Sequence, residues 1–275
     1  MIRACVIGWP VAHSRSPVIH RFWLKEFGID GDYEPVAVEP ERIEAFLRDF
    51  PAGPFAGGNV TVPHKEAAFA AVARRDAAAE AIGAVNTLWI EGGKLVGSNT
   101  DSLGFLANLD GAVENWDSGD GAAVVLGAGG AARAILFALL ERGFGPIRLV
   151  NRTRDRAETL AERFGKAVKP AGWDELPGLL ADASLLVNTT TLGMKGMPPL
   201  GIDLAPLPDH ALVTDLVYVP LETELLAAAR ARGLRAVDGL GMLLHQAVPG
   251  FERWFGRRPT VTPALREAVL ATFGS

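Results

Sequence analysis

The segment Asn59-Val60-Thr61-Val62-Pro63-His64-Lys65 delivers a hydroxyl, Thr61, and an ammonium, Lys65, where an apolar strand gives way to a helix. The carboxyl ends of strands are where α/β sheets take ligands. Asn99-Thr100-Asp101 sets a carboxylate at the start of another helix, where Asp101 fits an ordinary N-cap as well as a partner for a lysine. A lysine and a carboxylate sharing a cleft form a workable acid–base pair, the kind a hydride reduction of a ketone needs as its proton donor. Asn86, in the run Ala84-Val85-Asn86-Thr87 that reads as a strand, is an amide among apolar neighbours and needs a partner if buried. Ser14 and Ser16 flank Arg15 in a turn, and Ser16 is also placed to cap a helix whose first residue is Pro17.

A second constellation is Gly127-Ala128-Gly129-Gly130-Ala131-Ala132, a G-x-G-x-x-A run that follows the apolar strand Ala122–Leu126 and opens a helix over 131–142. One glycine permits the tight turn, another lets the backbone approach a pyrophosphate, and the small Ala132 allows helix and strand to pack closely. The helix N-terminus then holds the phosphate, so the run predicts a dinucleotide site. The next strand, Ile147–Asn151, ends in Asn151-Arg152-Thr153, without the Asp or Glu that would accept from the ribose 2′-hydroxyl of NAD. Arg152 and Arg156, four apart, are expected on one helical face and suit a 2′-phosphate, so NADP is preferred; Arg154 reads as solvated surface.

Strand-length apolar runs alternate with helix-length amphipathic segments along the whole chain, the rhythm of helices covering a parallel sheet, so the fold class is α/β. Strands are expected at Ile2–Ile7, Tyr33–Val38, Asn59–Val62, Val85–Ile90, Lys94–Gly97, Ile147–Asn151, Ser184–Asn188 and Leu212–Val217. Helices are expected at Pro17–Phe27, Glu41–Phe50, Lys65–Val72, Arg154–Phe164 and, capped by Thr262 ahead of Pro263, from there to Phe273. The stretch Asp110–Gly121, rich in Gly, Asp, Asn and Ser, reads as a junction between domains.

The chain has 275 residues, 49% of them apolar, enough for two domains with cores of their own. A formal charge of −5 argues against nucleic acid or an anionic membrane as the main partner, so any bound anion must be caught locally. The single cysteine, Cys5, reads as a core residue, and no metal-ligand cluster is evident. No apolar stretch is long enough to span a membrane and no signal peptide is evident, so a cytoplasmic protein is expected.

Taken in order, Asn59 to Lys65, Gly83-Ala84-Val85-Asn86-Thr87, Asn99-Thr100-Asp101, Gly127 to Ala131, Asn151-Arg152-Thr153 and Asp238-Gly239-Leu240-Gly241-Met242-Leu243 resemble the motifs of the shikimate dehydrogenase family. The likeness runs from His13-Ser14-Arg15-Ser16-Pro17 to Gln246. It implies NADP-dependent interconversion of 3-dehydroshikimate and shikimate, a step toward chorismate and the aromatic amino acids. It implies a Rossmann-type domain over 101–238 and a substrate domain from 1–100 and 239–275, with the cleft between them, in a monomer or homodimer. By the family pattern Lys65 and Asp101 are catalytic, while Ser14, Ser16, Thr61, Asn86, Tyr218 and Gln246 join them in binding substrate. The glycine run, Asn151, Arg152, Thr153, Arg156, Leu216 and Gly239 would hold the cofactor. Two departures stand out: Ser102 where the family often has glycine, and Ala77, beside Asp76, where many members have an acid. A quinate/shikimate enzyme of mixed cofactor use, a catalytically silent NADP-binding regulator and a folate-linked dehydrogenase are the competing readings.

Overall fold

In the computed structural model, residues 1–118 and 121–273 are described; Gly119 and Asp120 of the expected junction, and the last two residues of the expected C-terminal segment, lie outside them. The chain forms two compact units, one from Met1–Gly104 with Leu244–Ser275 and one from Phe105–Leu243. The changeovers fall inside two helices rather than at 100/101 and 238/239.

The first unit runs β1 (Ile2–Gly8), α1 (Ser16–Phe27), β2 (Gly31–Ala37), α2 (Ile43–Asp49), β3 (Gly57–Val60), α3 (Lys65–Ala71), β4 (Arg74–Arg75), α4 (Ala77–Ile82), β5 (Thr87–Glu91), β6 (Lys94–Ser98) and the start of α5 (Asp101–Ala112). Its sheet has the order β2-β1-β3-β5-β6-β4. Strands β1, β2 and β3 are parallel, whereas β5 runs antiparallel to both β3 and β6. Gly92 and Gly93, both at positive φ, make the two-residue turn between β5 and β6, as a tight hairpin requires. Cys5 and Ile7 pack with Leu47, Phe50, Val60, Val85 and Leu88 into the core, and the Cys5 thiol is pushed up by burial, as an inert core residue should be.

The second unit is a six-stranded parallel sheet. It contains β7 (Ala122–Leu126), α6 (Gly130–Glu141), β8 (Ile147–Val150), α7 (Arg154–Phe164), β9 (Val168–Ala171), α8 (Leu176–Leu179), β10 (Ala183–Asn188), β11 (Leu212–Asp215), α9 (Glu224–Ala231), β12 (Arg235–Val237) and the start of α10 (Leu240–Phe255). The order β9-β8-β7-β10-β11-β12 is the doubly wound Rossmann order, with its reversal between β7 and β10. All five residues of β7 are buried, as expected for a strand covered on both faces. The C-terminal α11 (Pro263–Leu270) returns to the first unit, and the Thr262 hydroxyl accepts from Leu265 N as its cap.

Several expected elements shift. Asn86 lies one residue before β5 rather than within a strand, and β3 stops at Val60, leaving Thr61 in the turn before α3. The expected Glu41–Phe50 helix divides into a 3-10 turn at Pro40–Arg42 and α2. The short β4, α4, β9, α8, α9 and β12 carry too little periodic pattern to show in the sequence. Ser16 is the first residue of α1 and caps nothing; the Ser14 hydroxyl accepts from Ser16 N instead.

His20 of α1 is fully buried in an aromatic box, stacked on Tyr33 at 4.0 Å and edge-on to Trp23, with Phe251 and Trp254 completing it. Among the described residues neither ring nitrogen makes a hydrogen bond, and burial pushes the pKa down to about 3, only partly offset by the neighbouring Asn59 side chain. A folded-state pKa below the unfolded value contributes stability above about 6.5 that is lost as pH falls from there toward about 3. Chemical unfolding across that window should show a stability slope of up to about 1.4 kcal/mol per pH unit from this group. The slope should flatten in His20→Phe; parallel profiles for the two proteins would contradict the assignment.

Candidate active site

In the first unit, the turn Thr61–His64 delivers Lys65 as the first residue of α3, and the β6–α5 connection delivers Asp101 as the first residue of α5. Lys65 Nζ donates to Asp101 Oδ2 at 2.5 Å, the side chains being 30% and 16% exposed. The pair is therefore shielded yet reachable. Asn86 Nδ2 donates to the other oxygen, Asp101 Oδ1, at 2.8 Å. The N-cap reading of Asp101 fails, because Asn99 Oδ1 takes the Asp101 backbone N–H at 3.0 Å and frees the carboxylate to face Lys65 and Asn86.

Asn86 is buried and its side-chain carbonyl oxygen accepts from Thr87 Oγ1 at 2.8 Å and Thr100 N at 2.9 Å. Sequence reasoning singled out Asn86 as needing partners but missed Thr87 and Thr100, which supply them. Gln246, on α10, is buried, and its backbone carbonyl accepts from Thr100 Oγ1 at 2.8 Å. Thr61 is half-buried, its methyl packed so close to Gly8 that a Cβ there would come within 2.5 Å of it. His64 turns away into the core, Nε2 lying 2.7 Å from the Val38 carbonyl, as expected of a bystander beside Lys65. A cavity of about 530 Å³ between Trp9, Phe46, Phe50 and Phe55 includes neither Lys65 nor Asp101.

In the second unit the glycine run sits at the β7 end of the sheet's reversal. Gly127 is left-handed at φ 97°, and a Cβ there would come within 2.8 Å of the Thr190 methyl, so glycine is required. Gly129 is the N-cap of α6 without a side-chain cap, and Cβ positions at Gly129 and Gly130 point into open space. The first-turn N–H groups thus face an uncovered surface, the arrangement that receives a phosphate. Asn151 Oδ1 fixes the loop by accepting from Ala128 N at 3.1 Å, and Asn151 Nδ2 donates to the Thr153 carbonyl at 2.8 Å. A pyrophosphate-bearing dinucleotide fits this frame.

Arg152 precedes α7, so the expected pairing of Arg152 and Arg156 on one helical face does not hold; they belong to the turn and to the first turn of the helix. Both are exposed, and among the described residues neither has a carboxylate partner, whereas Arg154 is paired with Glu158 and Glu175. Two free guanidinium groups therefore stand where β8 ends without the Asp or Glu of an NAD site. Gly239 packs directly on the segment after β11: a Cβ there would come within 2.4 Å of the Leu216 carbonyl. That segment, which ends in the half-buried Tyr218, hangs on Asp215. Its carboxylate accepts from Thr223 Oγ1, Asn188 Nδ2 and Val217 N at 2.7, 2.9 and 3.0 Å, and burial raises its pKa against those bonds. Among the described residues no cluster of three or more His, Cys, Asp or Glu could hold a metal, and no helix is long and apolar enough to cross a membrane.

Three family models match the chain: shikimate dehydrogenase substrate binding domain over residues 6–88, shikimate/quinate 5-dehydrogenase over 112–193, and shikimate 5′-dehydrogenase C-terminal domain over 239–270. The shikimate dehydrogenase (NADP(+)) of Chelativorans sp. strain BNC1 is 61% identical over 269 residues, covering 98% of this chain and 96% of that protein. The Thermus thermophilus shikimate 5-dehydrogenase, solved with NADP(H) and shikimate, superposes with a TM-score of 0.87 at 39% identity, covering 98% and 99% of the two chains. The quinate dehydrogenase of Corynebacterium glutamicum, solved with NAD, gives a TM-score of 0.90 at 31% identity, covering 98% and 99%.

The Gly239–Leu216 contact is backbone on backbone and cannot yield by a rotamer change. Gly239→Ala should therefore cost about 1–3 kcal/mol in thermal or urea unfolding. An unchanged midpoint would show that the 216–218 segment moves freely.

Proposed function

The chain belongs to the shikimate dehydrogenase family, and from that premise we propose that Lys65 and Asp101 handle the proton in its NADP-dependent interconversion of 3-dehydroshikimate and shikimate. The observation that carries the assignment is the lysine held on one oxygen of a carboxylate whose other oxygen is occupied by a buried amide. Bound NADPH supplies the hydride for the ring carbonyl carbon. Lys65 Nζ gives a proton to the carbonyl oxygen as negative charge develops there, and takes one from the corresponding hydroxyl in the oxidative direction. Asp101 holds the ammonium in place and has lone pairs left to accept a ring hydroxyl of the substrate.

Ser14, Ser16, Thr61, Asn86, Tyr218 and Gln246 are assigned to the substrate's hydroxyls and carboxylate. Serine hydroxyls bind a carboxylate by hydrogen bonds without a countercharge. The cofactor is assigned to the Gly127–Ala131 loop, Asn151, Thr153, Arg152 and Arg156, with backbone contacts at Leu216 and Gly239. The unit of Met1–Gly104 with Leu244–Ser275 is assigned to substrate and the unit of Phe105–Leu243 to cofactor. A cytoplasmic monomer or homodimer is the setting we propose.

A quinate enzyme using NAD is the second reading, since one such structure is similar. The free Arg152 and Arg156 and the missing acid at the end of β8 favour NADP.

Lys65→Ala should lower kcat for shikimate oxidation, followed at 340 nm, by about 10²–10⁴-fold, the usual share of a positioned proton donor. Near-normal turnover would remove Lys65 from the mechanism. Arg152→Ala should lose affinity for NADP by about tenfold or more while leaving use of NAD unchanged, as loss of a charge-assisted phosphate contact requires. An unchanged ratio of the two cofactors would remove Arg152 from the phosphate site.

A further inference from the structure

Behind the Lys65–Asp101 pair, Tyr33, Asn59, Thr87 and Asn86 form a chain of hydrogen bonds that donate in one direction. Tyr33 Oη donates to Asn59 Oδ1 at 2.7 Å, and Asn59 Nδ2 donates to Thr87 Oγ1 at 3.2 Å and to the Asn86 backbone carbonyl at 3.1 Å. Thr87 Oγ1 donates to Asn86 Oδ1, and Asn86 Nδ2 to Asp101 Oδ1, both at 2.8 Å. Tyr33, Asn59, Thr87 and Asn86 are 0, 5, 2 and 2% exposed, so these bonds have little competition from water.

Fixed donors set the direction at two points. A backbone N–H cannot turn round, and Thr100 N holds Asn86 Oδ1 at 2.9 Å, which leaves the Asn86 NH₂ to face Asp101. At the far end, burial pushes the Tyr33 phenol well above its ordinary range, so it keeps its proton and donates it to Asn59. Asn59 Oδ1 being taken, its NH₂ turns to Thr87 and occupies a lone pair there; the threonine proton goes to Asn86 Oδ1 at 2.8 Å rather than to Thr100 Oγ1 at 3.3 Å, whose own proton is given to the Gln246 carbonyl. Successive donors polarise one another along such a chain, and the carboxylate at its end can only accept.

We propose that Tyr33 and Thr87 are positioning residues for the reaction: through Asn59 and Asn86 they keep Asp101 presented to Lys65 as a fixed acceptor. The proposal rests on the Lys65–Asp101 assignment, which Lys65→Ala tests separately. Thr87 is the informative site, because Thr87→Val keeps the β-branched shape while removing the hydroxyl and leaves Asn59 Nδ2 bonded to the Asn86 carbonyl, whereas Thr87→Ser keeps the hydroxyl.

In the full-length enzyme, Thr87→Val should lower kcat for shikimate oxidation about five- to tenfold, with KM for NADP within about twofold, the scale of losing the buried bond to Asn86, since Asn59 Nδ2 keeps the Asn86 carbonyl as its acceptor. Thr87→Ser should restore at least about half of kcat. Tyr33→Phe should lower kcat in the same sense, and the Tyr33→Phe/Thr87→Val pair should cost about as much as Thr87→Val alone, because both interrupt one chain. Wild-type kcat in Thr87→Val, or equal losses in the Val and Ser variants, would overturn the proposal in favour of plain packing. Multiplicative losses in the pair would overturn the single chain. If Tyr33→Phe does not fold, the Thr87 series decides alone. Should Lys65→Ala retain turnover, the underlying acid–base assignment fails instead.

Discussion

One carboxylate must hold two different donors at once. Asp101 accepts Lys65 on one oxygen and Asn86 on the other, and the first unit is arranged so that neither donor is free to turn away. Buried polar groups are tolerated only when their hydrogen bonds are satisfied, so the requirement propagates inward from the carboxylate. Sheet register meets it: Asn59 on β3 stands opposite Thr87 on β5, which stands opposite Ser98 on β6. A slip of one residue at the β3–β5 pairing would turn Thr87 to the other face and take its hydroxyl away from Asn59 and Asn86. The antiparallel excursion of β5 and β6 in a sheet that begins parallel is thus what brings the amides of two separate segments together.

The second unit, to which we assign the cofactor, faces a different problem: holding a polyanion on a chain whose formal charge is −5. It does so with local positive potential rather than net charge. The switch point of the parallel sheet exposes an uncapped helix start behind a glycine turn, and the end of the neighbouring strand offers arginines in place of the acid an NAD site would use. Arg154, the first residue of the helix that also carries Arg156, is already consumed by two glutamates, which shows how ion pairing separates structural from available guanidinium groups.

Much of this was legible in the residues. The glycine run between an apolar strand and a helix predicts its own geometry, because only glycine tolerates the φ of 97° at Gly127. Asn86 was recognisable as an amide in need of partners. What stayed hidden were the partners, because Thr87, Thr100 and Tyr33 read as ordinary strand or loop residues until the register sets them beside the amides. The same reasoning applied to Asn59, a polar residue in a strand, would have flagged the far end of the chain. The N-cap alternatives at Ser16 and Asp101 fail for one reason: the backbone N–H at each helix start is taken by an oxygen two positions earlier, Ser14 Oγ and Asn99 Oδ1, which leaves the Ser16 and Asp101 side chains for other contacts. Arg152 was placed on a helix face because the pattern of spacing does not show that α7 begins two residues later.

If Lys65 and Asp101 work as a unit, a double-mutant cycle on the chemical step measures that directly. Single-turnover reduction of 3-dehydroshikimate by NADPH would be compared in the wild type, Lys65→Ala, Asp101→Asn and the double variant. The double variant should be slowed about as much as the worse single variant, as groups that act together behave. Losses that multiply, each residue contributing independently of the other, would contradict the pairing.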